Sequence, residues 1–172
     1  MTNKTVASGL WINLYVLVAI AHIMSIVIGY DMLNMVSKYL LMPVLFVFVL
    51  SASGSPLNMR MPVLIAVFFS WVGDAFLLFT ERDPMYFTLG LAGFLLAHIS
   101  YIVAFRKWRD PGQARPWQWK FSLLVIAYAA GLCIMVYPGL GDMRIPVILY
   151  AAVISAMCIA ANGRYGRTNV YS

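Results

Sequence analysis

The chain has 172 residues, of which 63% are hydrophobic and only 10% are charged, with a formal net charge of +6. Its mean hydropathy of +0.85 excludes an ordinary soluble domain, in which roughly 25% of residues are charged. The composition predicts an all-α integral membrane protein. Because the basic residues flank apolar segments, the positive charge reflects membrane topology, and no nucleic-acid partner is expected.

Six segments are long and apolar enough to cross about 30 Å of hydrocarbon as helices. They lie near residues 10–28, 37–52, 62–80, 87–105, 117–137 and 145–161. We therefore expect a single-domain, polytopic transmembrane helix bundle. The partners expected from composition alone are membrane lipids.

The first apolar segment has a second interpretation. Lys4, the apolar run and Ala19-Ile20-Ala21 also fit a secretory signal peptide with a small-residue cleavage site. The apolar run continues to Ile28, which favours a retained span.

The distribution of lysine and arginine predicts the orientation. With six spans, nine of the twelve basic residues fall on the side of the two termini, whereas Lys38, Arg82 and Arg144 fall on the other side. The positive-inside rule then places both termini in the cytoplasm. A bundle of this kind fits a multi-pass protein of a bacterial inner (plasma) membrane.

Asp74, in the third segment, is the most informative residue, because ionisable groups at membrane depth are expensive and commonly mark a functional site. Ser70 precedes it by one helical turn and shares its face. In the fourth segment, a stripe that includes Gly90 and Gly93 leads by helical spacing to His98 and beyond. This stripe fits either a helix-packing seam or one wall of a pocket.

The expected depths of Asp74 and His98 decide whether they can meet. Counted from the predicted helix ends, the two residues lie roughly 7 Å apart along the membrane normal, a gap that side chains or a water can bridge. A purely structural alternative is that they hydrogen-bond each other and hold two helices together.

Other polar residues of the spans carry weaker signals. His22 most simply makes a structural or pore-facing contact, and Lys38 is either an interfacial anchor or a contact for an anion such as phosphate. Cys133 and Cys158 fall inside spans and are expected to be packing residues. Phosphate loops, zinc-binding and nucleophile-elbow motifs are missing from the sequence, so we expect no cofactor and no metal.

Two motifs on consecutive spans resemble the YhhN, or lysoplasmalogenase-like, membrane family. They are Gly73-Asp74-x-x-Leu77 and Gly90-x-x-x-Phe94-x-x-x-His98-x-x-Tyr101. The resemblance extends from about Lys38 to Arg167 and includes Pro43, the segment from Tyr150 to Met157, and a loop from Gly163 to Thr168.

The resemblance implies a hydrolase that cleaves the vinyl ether bond of lysoplasmalogen to a fatty aldehyde and glycerophosphoethanolamine or glycerophosphocholine. Asp74, as general acid, and His98 are then the expected catalytic residues. Lys38, Ser70, Tyr101 and Tyr150 are the expected substrate-binding residues.

Two differences from the family pattern bear on this expectation. The chain has Lys38-Tyr39 where members often have Lys-Pro. The family fold also has eight helices, so we expect a shortened member without the last two helices and without the second membrane acid that they carry. Supply of that acid by another copy of the chain, and so a homo-oligomer, is left open.

Three functions follow from these residues. The hydrolase predicts a groove of amphiphile size that opens to the lipid from Asp74 and His98. A small transporter or binding protein predicts a polar path through His22, Asp74 and His98. A non-catalytic fragment or assembly subunit predicts that packing closes the site.

Overall fold

The computed structural model describes residues 2–51, 56–108 and 119–163, and these residues form six long helices. The helices are α1 (Thr2–Ile28), α2 (Asp31–Ser51), α3 (Leu57–Leu77), α4 (Pro84–Lys107), α5 (Trp119–Val136) and α6 (Arg144–Asn162). Two single-turn 3₁₀ helices, Tyr137–Gly139 and Gly141–Met143, connect α5 to α6. The described residues include no strand, and all six helices have the length and hydropathy of a membrane span.

The predicted all-α bundle with six spans is therefore confirmed for the described part of the chain. The position of each terminus relative to the membrane stays a prediction. The first two residues of the fifth predicted span, 117 and 118, lie outside the described residues, as does the predicted motif loop after Gly163.

Several helices begin earlier than hydropathy predicts, because a hydropathy window finds the apolar stretch and not the cap. α2 begins at Asp31 instead of residue 37, and α4 begins at Pro84 instead of residue 87. At α4 the Asp83 carboxylate accepts a hydrogen bond of 2.7 Å from the Met85 amide, and Pro84 occupies the first helical position. This is a standard N-terminal cap, and it adds most of a turn to the helix.

The predicted bounds of α3 are wrong at both ends. The helix begins at Leu57, after Pro56 in an extended conformation, and so Pro62 lies inside it and not at its start. It ends at Leu77 instead of residue 80, where Phe79 and Arg82 donate to carbonyls three residues earlier and form turns.

Three short connections, at residues 29–30, 78–83 and 137–143, join the helices into three antiparallel hairpins. Because successive helices alternate in direction, these connections share one end of the bundle, called here the hairpin end. The first is a Schellman turn: Gly29 has φ of +73°, and the Tyr30 amide donates to the Ser25 carbonyl at 3.0 Å. Only glycine adopts this backbone conformation without strain.

The closest helix contact lies between α3 and α4, where three glycines meet. A Cβ atom added at Gly93 would lie 3.0 Å from the Gly73 Cα and 3.2 Å from the Phe69 carbonyl oxygen. Gly90 likewise faces the Gly73 carbonyl oxygen and the Leu77 side chain. The glycine stripe of α4 is therefore a packing seam, which van der Waals contact between backbones stabilises in lipid.

The seam predicts that Gly93→Ala destabilises the bundle by about 1–3 kcal/mol, because the new methyl group meets backbone atoms that cannot rotate away. Gly131→Ala in α5 is the matched control, since nothing lies within 4 Å of a Cβ built there. Thermal unfolding of both variants in the same detergent measures the effect. Equal transition temperatures for the two variants would contradict the close backbone contact.

Candidate functional site

Asp74 forms an ion pair with Lys38 across the interface of α3 and α2. The Lys38 Nζ lies 3.9 Å from the Asp74 Oδ1, and the side chains are 33% and 20% exposed, respectively. Each charge alone would be costly at this depth, and pairing offsets part of that cost. Sequence reasoning named both residues but did not predict that they pair.

His22 of α1 is a third ionisable group near this ion pair, because it lies within electrostatic reach of Asp74. Its Nδ1 is 3.0 Å from the Ser37 Oγ. The hydrogen of the Ser37 hydroxyl points toward the carbonyl oxygens of Leu33 at 2.6 Å and Asn34 at 3.1 Å, so we assign the Ser37 oxygen as the acceptor from His22. In neutral His22 the proton then sits on Nδ1 and Nε2 is left as an acceptor.

The position of His22 relative to the turn between α1 and α2 indicates that it lies near Lys38, although sequence reasoning did not use it. His22 precedes Gly29 by seven residues, and Lys38 follows Tyr30 by eight. Residues at nearly equal distances from a tight helical turn lie at nearly equal depth in a hairpin. We name His22, Lys38 and Asp74 together the Asp74 cluster.

His98 belongs to a different neighbourhood. Its Nδ1 donates to the Phe94 carbonyl one turn earlier on α4, and its ring meets the Tyr150 ring of α6 edge to face with centroids 5.3 Å apart. The donor role of Nδ1 again leaves Nε2 as the acceptor of the neutral ring. His98 and Tyr150 form what we call the His98 pair.

Asp74 and His98 lie farther apart along the bundle than the sequence predicts. Packing of Gly73 against Gly90 and Gly93 puts Asp74 level with about residue 91, so that His98 lies about 10 Å farther from the hairpin end. The sequence-based value was smaller because it took the helix ends at residues 80 and 87, whereas α3 ends at Leu77 and α4 begins at Pro84. Among the described residues, no hydrogen bond or ion pair joins Asp74 to His98.

Ser70 and Tyr101 add two further polar groups at the α3–α4 interface. Ser70 is buried, and the Tyr101 hydroxyl is within hydrogen-bonding reach of it. Tyr15 of α1 is within electrostatic reach of the same hydroxyl. This pair therefore brings polar groups of α1, α3 and α4 near one another.

An apolar groove between α2 and α3 begins one helical turn from the ion pair. Its volume is about 240 Å³, and it is open on one side. The lining residues are Met42, Pro43, Phe46, Val47, Val67, Phe68 and Trp71. Met42 follows Lys38 by four residues and Trp71 precedes Asp74 by three, so the same helix faces carry the ion pair and the groove.

No three His, Cys, Asp or Glu side chains of the described residues lie close enough together to hold a metal ion. Cys133 and Cys158 are free thiols. The ionisable groups that the described helices bring near Asp74 are the Lys38 ammonium group and the His22 imidazole.

The fold and these half-buried ionisable groups define a polytopic helical membrane protein with polar groups between its helices. The sequence model of the YhhN family matches residues 33–171, which is most of the chain, and the protein belongs to the YhhN family. The family suggested by the motifs is thus confirmed. No solved structure matches the chain. His22 lies on α1, ahead of the matched residues.

The hydrogen bonds predict that both histidines, when neutral, carry the proton on Nδ1. The protein has only two histidines, so ¹⁵N-histidine labelling in lipid gives a spectrum with two assignable rings. We expect both neutral rings in the Nδ1–H form, and we expect Ser37→Ala to change the His22 signals only. A neutral His22 protonated on Nε2 would contradict its hydrogen bond to Ser37.

Proposed function

We propose that the protein hydrolyses the vinyl ether bond of a lysoplasmalogen and releases a fatty aldehyde and a glycerophospho-alcohol. One observation carries the proposal: an ammonium group and a carboxyl group stand together at the head of an open apolar groove. A lysoplasmalogen combines an anionic phosphate, a reactive vinyl ether bond and a hydrocarbon chain in that order. Membership in the YhhN family supports the same reaction.

Vinyl ether hydrolysis requires an acid in its first step. Protonation of the alkenyl carbon that is not bonded to oxygen gives an oxocarbenium ion. Water adds to this cation and loses a proton, and the resulting hemiacetal breaks its C–O bond to give the aldehyde and the free alcohol. The proton taken up in the first step is returned in the second, so that one water is consumed and no cofactor is needed.

In the proposed reaction Lys38 binds the phosphate and Asp74 supplies the proton. Competition by the phosphate for Lys38 loosens the 3.9 Å ion pair, which leaves Asp74 available as a proton carrier next to the alkenyl group. His22, which Ser37 anchors within electrostatic reach of Asp74, is proposed to exchange the proton with Asp74. A positioned general acid typically contributes about 10²–10⁴-fold to a rate.

Because Asp74 and His98 are apart, they have different roles in the proposed reaction. Because His98 lies about 10 Å deeper, protonation is assigned to Asp74 alone. His98 and Tyr150 are proposed to act on the cation or its water only where the substrate extends toward α6, and the family resemblance is their main support.

Asp74→Asn is expected to lower aldehyde release from lysoplasmalogen by at least 100-fold, because the amide keeps the shape of the side chain but donates no catalytic proton. Asp142→Asn is the matched control: Asp142 is an exposed carboxyl in the short 3₁₀ helix at the hairpin end, and its variant should keep full activity. The assay is aldehyde release by purified protein in lipid. Full activity of a folded Asp74→Asn variant would remove Asp74 from the reaction, and no release by folded wild-type protein would overturn the proposed function.

Lys38→Met is expected to raise KM for lysoplasmalogen about tenfold or more, because it removes the cation that binds phosphate. The same variant should change KM little for an alkenyl glycerol without a phosphate, and Lys38→Arg should restore part of the affinity. These KM values come from the same aldehyde assay. An equal loss with both substrates would show that Lys38 acts on Asp74 and not on the headgroup.

The two alternative functions, a transporter and a non-catalytic subunit, require different surroundings for the same residues. A transporter requires a polar path across the bundle, whereas the groove that leads away from Asp74 is lined by apolar side chains, which favours a hydrocarbon chain. A non-catalytic subunit requires a site closed by packing, whereas Lys38 and Asp74 keep part of their surface exposed.

A further inference from the structure

Trp71, which lines the groove between α2 and α3, carries a hydrogen-bond donor without a partner. The Trp71 Nε1 is buried and bonds to no group in the described chain. Leaving a buried N–H unpaired is unfavourable, and Trp71 is one of the seven residues that line the groove. An unpaired donor and a cavity therefore meet at the same residue.

The shape and charge of the groove limit the occupant. The α2 side of the groove, from Met42 to Val47, runs about 7.5 Å along the helix, and Lys38 lies one turn beyond Met42. The exposed lining is almost entirely apolar. The partly exposed Phe68 stands at its lipid-facing side, while Lys38 supplies a positive charge at one end. This arrangement fits one hydrocarbon chain attached to an anionic polar group.

We propose that this groove is the binding site for the hydrocarbon chain of a single-chain phospholipid, and that the Trp71 Nε1–H donates a hydrogen bond to a glycerol oxygen of that lipid. Trp71 lies one turn from Asp74, so an oxygen held there brings the adjoining ether bond close to the carboxyl group. The chain then runs past Met42 and Phe46 toward Val47. The site deepens the proposed function and rests on it for the identity of the lipid.

The test is a binding measurement that does not depend on turnover. The probe is a lysophosphatidylcholine with a saturated, ether-linked chain that is brominated near the glycerol, because bromine quenches tryptophan fluorescence at contact. Protein in nanodiscs of diacyl lipid should show saturable quenching under selective tryptophan excitation. Trp71→Phe keeps an aromatic ring but should lose the saturable part of the signal.

A matched pair of variants locates the site. Val47→Phe narrows the groove and should weaken binding of the probe about tenfold or more. Val103→Phe makes the same change on α4, where Val103 is 41% exposed and does not line the groove, and should bind as the wild type does. Both substitutions leave tryptophan fluorescence as the readout, and thermal unfolding verifies that each variant is folded.

Three results would overturn the groove proposal: equal binding by Val47→Phe and Val103→Phe, saturable quenching that survives Trp71→Phe, or displacement of the probe by diacyl phospholipid as effectively as by lysophospholipid. The last result would identify the occupant as bulk bilayer lipid. Failure of the proposed function is a separate outcome, since it would appear as normal probe binding without aldehyde release. Aldehyde release that is unchanged in Val47→Phe would leave the reaction in place and remove the groove from it.

Discussion

The contact of Gly73 with Gly90 and Gly93 is the constraint on which the arrangement of the site depends. It brings the backbones of α3 and α4 within van der Waals distance, and it fixes how far one helix is displaced along the other. That displacement places Asp74 closer to the hairpin end than His98, and it brings Ser70 within reach of Tyr101. A side chain at any of these glycines would separate the helices, and every polar contact between them would lengthen.

The Asp74 cluster joins the α3–α4 hairpin to the α1–α2 hairpin. Lys38 comes from α2 and His22 from α1, whereas the glycine seam joins α3 to α4. The hydrogen bond between His22 and Ser37 lies within the first hairpin, whereas the ion pair between Lys38 and Asp74 crosses to the second. The Asp74 cluster therefore lies at the interface between two hairpins, and the apolar groove is the part of that interface that packing leaves open.

The sequence was sufficient for the helices and insufficient for the contacts between them. Hydropathy located all six spans, and the spacing around Gly73, Asp74, Gly90 and His98 pointed to the family. It could not give the axial offset between α3 and α4, because that depends on where Asp83 caps α4. It also could not pair Lys38 with Asp74, since no periodicity within one helix reports which neighbour lies beside it. Trp71 was overlooked for a similar reason: an indole in an apolar span is ordinary until its nitrogen is seen to lack a partner.

The origin of Lys38 and Asp74 on different helices has a consequence for biogenesis. Helices of a membrane bundle form and enter the bilayer before they associate, and α2 precedes α3 in the chain. Lys38 therefore passes the insertion step without its counter-ion, and so does Asp74. Each carries an insertion penalty of up to about 2.5–3.5 kcal/mol, depending on depth. The apolar residues next to Lys38 and Asp74 in the sequence must therefore offset this penalty, so that each helix inserts into the membrane before the two charges pair.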